Sequence, residues 1–218
     1  MKSLILKDFY NISHNAKSMV FILLIFAIAF LPSSGIQSYI ITCTLLCSMM
    51  TVTTFSFDEH CNWPLYAMVM PVSKKDVVAG KYMVLLAFSL TGAVFGLVVG
   101  LAGSRIAQHF SMIPKETALI PVPLSVLTAL SVSVISGSLS IALAFKFGAE
   151  KGRILILASI FIPIGICYIA YQALIALGIA ITDDFITIFL YSSPILALLW
   201  GYIMYRISCA VFVRKELQ

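Results

Sequence analysis

The 218-residue chain is 61% hydrophobic and only 11% charged, with a mean hydropathy of +1.06 and a formal net charge of +5. Soluble globular domains carry about a quarter charged residues, so this composition excludes one and points to a polytopic membrane protein. The charges are bunched, leaving uncharged stretches between residues 17 and 58, 81 and 105, 116 and 146, 153 and 183, and 184 and 206, and too little chain for a fused ATPase or receptor domain.

A transmembrane helix needs about 20 apolar residues. The first stretch is interrupted by Pro32-Ser33-Ser34-Gly35 and holds two spans, and each of the others holds one. The prediction is an all-α, single-domain protein over 1–218 with six spans at 18–31, 36–57, 82–103, 118–145, 154–180 and 185–207. Ahead of them, Leu4, Ile5, Phe9 and Ile12 recur at helical spacing among Lys2, Lys7, Asp8 and Asn11, which predicts an amphipathic elbow helix at the membrane surface over 1–16. No cleavable signal peptide is expected, because the first apolar run begins behind a polar start at Ser18. That run is short for a crossing and has to borrow from its flanks, tilt little or meet a thinned bilayer. The fifth span is long and carries Pro163 and Gly165, leaving room for a bend or a short re-entrant piece before Asp183-Asp184.

With the N-terminus inside, Lys2, Lys7, Lys17, Lys74, Lys75, Lys81, Lys146, Lys151, Arg153, Arg206, Arg214 and Lys215 face the cytoplasm, and only Arg105 and Lys115 face out. The positive-inside rule therefore places both termini in the cytoplasm. Membrane placement also accounts for the net charge without nucleic acid. Cys43, Cys47, Cys61, Cys167 and Cys209 form no CxxC pair, which argues against a disulfide framework and a zinc site.

Apart from Arg206 at the cytoplasmic end of the sixth, no Asp, Glu, Lys, Arg or His falls inside a predicted span. Ion-coupled relays and carboxylate or metal hydrolysis at depth have nothing to build on. Ser131, Ser133, Ser136, Ser138 and Ser140 lack an activating base and read as small packing residues or a mildly polar lining. Gly92, Gly96 and Gly100 form a small-residue stripe that predicts close packing of the third span, within the chain or across a subunit interface. Thr42, Thr44, Ser48, Met49, Met50 and Thr51 would suit a neutral cavity, with Thr44, Ser48 and Thr51 as candidate substrate contacts.

The segment from Phe57 to Tyr82 reads FDEHCNWPLYAMVMPVSKKDVVAGKY. Its acidic start followed by Trp63, Tyr66 and Met68 suits a short helix on the membrane surface. Ser73 is placed to cap the next helix, with Asp76 at N3. This hairpin over 58–76, set between the second and third of six spans, resembles the ABC-2 type permease subunits of bacterial ABC exporters. Within them it looks most like the permeases of the phenol-soluble modulin exporter.

The resemblance implies half of a transmembrane dimer, formed with a second copy or a paralogue in the bacterial plasma membrane, that docks a coupling helix into a separate ATPase subunit. Carried over, Asp58, Glu59, His60, Trp63 and Tyr66 would lie on or beside that helix, followed by Lys74, Lys75 and Asp76. Glu150, in the second cytoplasmic connection at 146–153, would add a contact. The chain has no GxxxxGK[ST] loop, so it is expected to be no enzyme and to hold no cofactor, with ATP and Mg on the partner. The implied activity is export of amphipathic peptides or hydrophobic compounds. The alternatives are an energy-independent channel and a toxin-binding immunity or scaffold protein.

Overall fold

The computed structural model describes residues 2–63, 66–67, 73–109, 121–148, 152–176 and 183–214, and all regular structure among them is helical. The main elements are α1 (Lys2–His60), α2 (Lys74–His109), α3 (Val122–Phe147), α4 (Gly152–Ala176) and α5 (Asp183–Arg214).

α1 is two arms. Its backbone leaves helical dihedrals at Gly35, with φ 77° and ψ 177°, a conformation that favours a residue without a Cβ. The Tyr39 hydroxyl donates to the Leu23 carbonyl at 3.2 Å. Sixteen residues of straight helix would separate the two by about 24 Å, so the chain doubles back at Gly35. Leu23, Ala27 and Leu31 then pack on Tyr39, Cys43 and Cys47. The turn expected over 32–35 contracts to its glycine, because Pro32 stays helical and the Ser33 hydroxyl bonds back to the Ala29 carbonyl at 2.9 Å.

The segment expected as a separate elbow, 1–16, instead continues into the first arm without a break from Lys2 onward. No Gly or Pro precedes Pro32 to interrupt it. Ile5, Phe9 and Ile12 pack against Val84, Phe88 and Met50, whereas Leu6 and Tyr10 are exposed. The short first span is thereby lengthened: residues 2–34 make a helix of about 50 Å at 1.5 Å per residue, beyond the roughly 30 Å of a hydrocarbon core.

The glycine stripe of α2 faces the second arm of α1. A Cβ on Gly92 would stand 2.7 Å from Cys47 Cβ and 2.9 Å from Thr44 Cα, and one on Gly96 would stand 3.1 Å from Cys43 Cβ. One on Gly100 would stand 3.0 Å from Ile36 Cγ1. The helices approach nearly backbone to backbone, as small residues allow when lipid supplies no hydrophobic contrast.

α3 is central and touches the other four helices. Its buried Ser131, Ser133, Ser136, Ser138 and Ser140 donate to carbonyls three or four residues back on their own helix. Burial therefore leaves these hydroxyls satisfied without a ligand. α4 packs chiefly on α3 and bears an exposed apolar surface. Pro163 does not end it, and the re-entrant piece expected after it falls on 177–182, outside the described residues.

By length and apolarity, Lys74–Ile106, Val122–Phe147, Thr187–Val213 and the run Ala16–His60, which holds the second arm of α1 and the first from Ala16 on, can cross a membrane. The apolar part of α4, Leu157–Ala173, is shorter than these.

Gly92→Ala should destabilise the fold by about 1–3 kcal/mol through overpacking, read as a lower Tm of the detergent-solubilised protein. Gly165→Ala on α4, where nothing lies within 4 Å of the new Cβ, should leave Tm unchanged or raised.

Candidate functional site

The most distinctive chemistry lies where the start of α1, the end of its second arm and the first turns of α2 converge. Lys81 Nζ lies 2.7 Å from Asp58 Oδ2 and 2.9 Å from Asp8 Oδ2. Lys7 pairs with Asp58 and lies 3.4 Å from Asp8 Oδ1. Lys81 also donates to the Thr54 hydroxyl at 2.8 Å. The two ammonium groups lie near aromatic faces, Lys7 Nζ 4.2 Å from the Trp63 ring centroid and Lys81 Nζ 4.9 Å from that of Phe55.

These charges are largely removed from water, the side chains of Lys81 and Asp8 being 5% and 4% exposed. Two positive and two negative groups sum to zero, which is the condition on which charges survive such burial. Leu4, Val77 and Gly80 adjoin the cluster. Beside it, Phe55 packs edge-on against Phe145 at 4.9 Å, and Phe145 against Phe212 at 4.9 Å, tying α1, α3 and α5 together.

Three members of the cluster, Lys7, Asp8 and Lys81, carry no site assignment from sequence, where Lys7 and Lys81 read as positive-inside charges and Asp8 as part of a polar helix face. Their signal was opposite charge at the ends of neighbouring apolar runs. Of the residues expected to dock a partner, Asp58 turns inward to this cluster. Glu59 reaches the end of α3, where its Oε1 lies 2.8 Å from the place a Cβ on Gly148 would take. Gly148 has φ +81° and caps α3, so the two connections adjoin there. His60 ends α1 and is exposed, Asn62 takes a positive φ of 49°, Trp63 is half-buried, and Tyr66 is exposed beside the buried Ala67. The rest of the expected coupling helix, 64–65 and 68–72, and Glu150 lie outside the described residues.

Ser73 and Asp76 form a reciprocal cap on α2. The Ser73 amide and hydroxyl donate to Asp76 Oδ2 at 3.2 and 2.7 Å, and the Asp76 amide donates to Ser73 Oγ at 3.2 Å, as in a capping box. Lys74 Nζ donates to the Val213 carbonyl near the end of α5 at 3.2 Å, where cations are favoured. Lys75 lines a groove beside α5. Thr44, Ser48 and Thr51 are buried within the chain, Thr44 and Ser48 bonding back to Ile40 and Leu45 carbonyls. Among the described residues no group of His, Cys, Asp and Glu is arranged to hold a metal.

Residues 3–213 match the model of a family described as ABC-2 family transporter protein. The chain belongs to the ABC-2 transporter family. Members are membrane subunits, generally not catalytic, that normally work with an ATPase subunit. Neither a curated protein nor a solved structure matches the chain. In this ABC-2 protein the charge cluster stands at the root of the hairpin and ties α1, on one side of it, to α2 on the other.

Removing one member of the cluster strands its partner. Lys81→Met and Asp58→Asn should each cost about 3 kcal/mol. In the double variant the loss should fall at least 1 kcal/mol short of the sum, measured by thermal unfolding of the four proteins in one detergent.

Proposed function

We propose that this chain is the permease subunit of an ATP-driven exporter, crossing the membrane six times with both termini in the cytoplasm and pairing with a second permease and a separate ATPase. The observation that carries the reading is the charge cluster in which the partly buried Lys7 meets the buried Asp8, Asp58 and Lys81, beside the exposed His60 and Tyr66. A partner seated on the hairpin at His60, Trp63 and Tyr66 would push on a segment whose roots are bound by charge to α1 and α2. Closure of the ATPase would then move both arms of α1 and the start of α2 as one body and switch access to a central cavity. Glu59, against Gly148, would carry part of the same push to α3, with Glu150 in the adjoining connection.

The cargo is an amphipathic peptide or a hydrophobic compound, as for the permeases of the phenol-soluble modulin exporter that the hairpin resembles. Neutral helices suit it because they offer no fixed charge to select by. Thr44, Ser48 and Thr51 are closed off in this arrangement, so they would meet cargo only after that body has moved.

The test is co-purification with an ATPase and cargo-stimulated hydrolysis in vesicles. Trp63→Ala and Tyr66→Ala should lower stimulation at least tenfold, with Tyr66→Ala leaving Tm unchanged. Full transport without an ATPase would establish a channel, and cargo binding without ATP-dependent movement an immunity or scaffold role.

A further inference from the structure

At the same end of the molecule, a groove of about 440 Å³ runs between the first turn of α2 and the last turns of α5, lined by Lys75, Tyr205, Arg206, Cys209, Ala210 and Val213. The two helices are held side by side here. Lys74 bonds the Val213 carbonyl at 3.2 Å, Tyr82 Oη lies 3.0 Å from Ser208 Oγ, and the Tyr82 and Tyr205 rings meet edge to face at 5.5 Å. The groove is thus part of the packed helix pair.

Its chemistry is divided. Lys75 and Arg206 are both exposed, and neither pairs with a carboxylate among the described residues. Among the described residues Arg206 makes only a 3.5 Å contact with the Tyr202 hydroxyl. The adjacent Asp76 is engaged by Ser73, and Asp58 by Lys7 and Lys81. The remaining lining is mostly apolar, with Ala210 and Val213 exposed.

We propose that this groove binds one anionic phospholipid, its phosphate between Lys75 and Arg206 beside Ala210 and its acyl chains running from there toward the middle of α5 along the exposed Ile203 and Leu199. A free phosphate has use for the cations but none for the apolar wall. A lipid uses both, and basic pockets between helices at a membrane surface select anionic headgroups. The position agrees: Tyr82, next in sequence to the cluster residue Lys81, packs on Tyr205 in the groove wall, so the groove lies close to the level at which the chain begins to carry charge. The assignment stands independently of the exporter reading, since it needs neither an ATPase nor cargo.

The full-length chain in detergent is titrated with dioleoylphosphatidylglycerol or dioleoylphosphatidylcholine, and bound lipid is counted by native mass spectrometry. The wild type should prefer phosphatidylglycerol, and Lys75→Gln or Arg206→Gln should each reduce that preference about fivefold, as expected for one cation near a lipid surface. The double Gln variant should lose it, while Lys75→Arg with Arg206→Lys, and Lys146→Gln at the end of α3, should keep it. Equal retention of the two lipids by the wild type, or an unchanged preference in the double Gln variant, overturns the proposal. Displacement of the lipid by millimolar inorganic phosphate would mark a free-phosphate site and overturn it as well. Loss of ATPase co-purification in the double Gln variant with lipid preference intact would assign the groove to a protein partner.

Discussion

Two carboxylates and two ammonium groups shut away at one end of a helical bundle constrain everything around them. None can move to an apolar site alone, because the charge it left behind would be uncompensated. Asp8 and Lys7 come from the start of α1, Asp58 from its end and Lys81 from the second turn of α2. The cluster therefore fixes how three segments, far apart in sequence, lie against one another. The fold-back at Gly35 makes this possible, since it returns the second arm along the first and brings Asp58 level with Lys7.

Above that end the chain holds together by different means. The α1–α2 contact depends on absent side chains: Gly92 and Gly96 admit the backbone of α1 near Thr44 and Cys43. The hydroxyls of α3 bond to their own helix and ask nothing of their neighbours. Among the described residues, the apolar runs between the two ends supply shape and small-residue contact but no acidic or basic side chain with which to couple an ion gradient. This agrees with membership of a family whose membrane subunits normally work with an ATPase. In the proposed exporter, force applied from outside would enter beside the charge cluster, where His60 and Tyr66 are exposed.

The groove beside α5 and the charge cluster show two uses of the same residue type. Lys81 is enclosed among carboxylates, whereas Lys75, less than two turns away on α2, stays open to its surroundings. Which lysine is structural and which remains available is decided by the helix face each occupies, since six residues of α-helix turn the side chain through about 600°. Charge counted along the chain makes the two equivalent.

The sequence by itself determined the helical class, most of the membrane-spanning runs, the cap of Ser73 and Asp76 and the close packing of the Gly92 stripe. Each depends on neighbouring residues or on a period of about one helical turn, which local pattern records. The tertiary structure alone decided which helix the glycines face, that the elbow extends the first arm, and that Asp58 points inward. Distances of 51 residues between Lys7 and Asp58 and 73 between Asp8 and Lys81 leave no periodic trace. A charge at the end of an apolar run reads as a solvated boundary until the fold sets an opposite charge beside it, and only then does burial become tolerable.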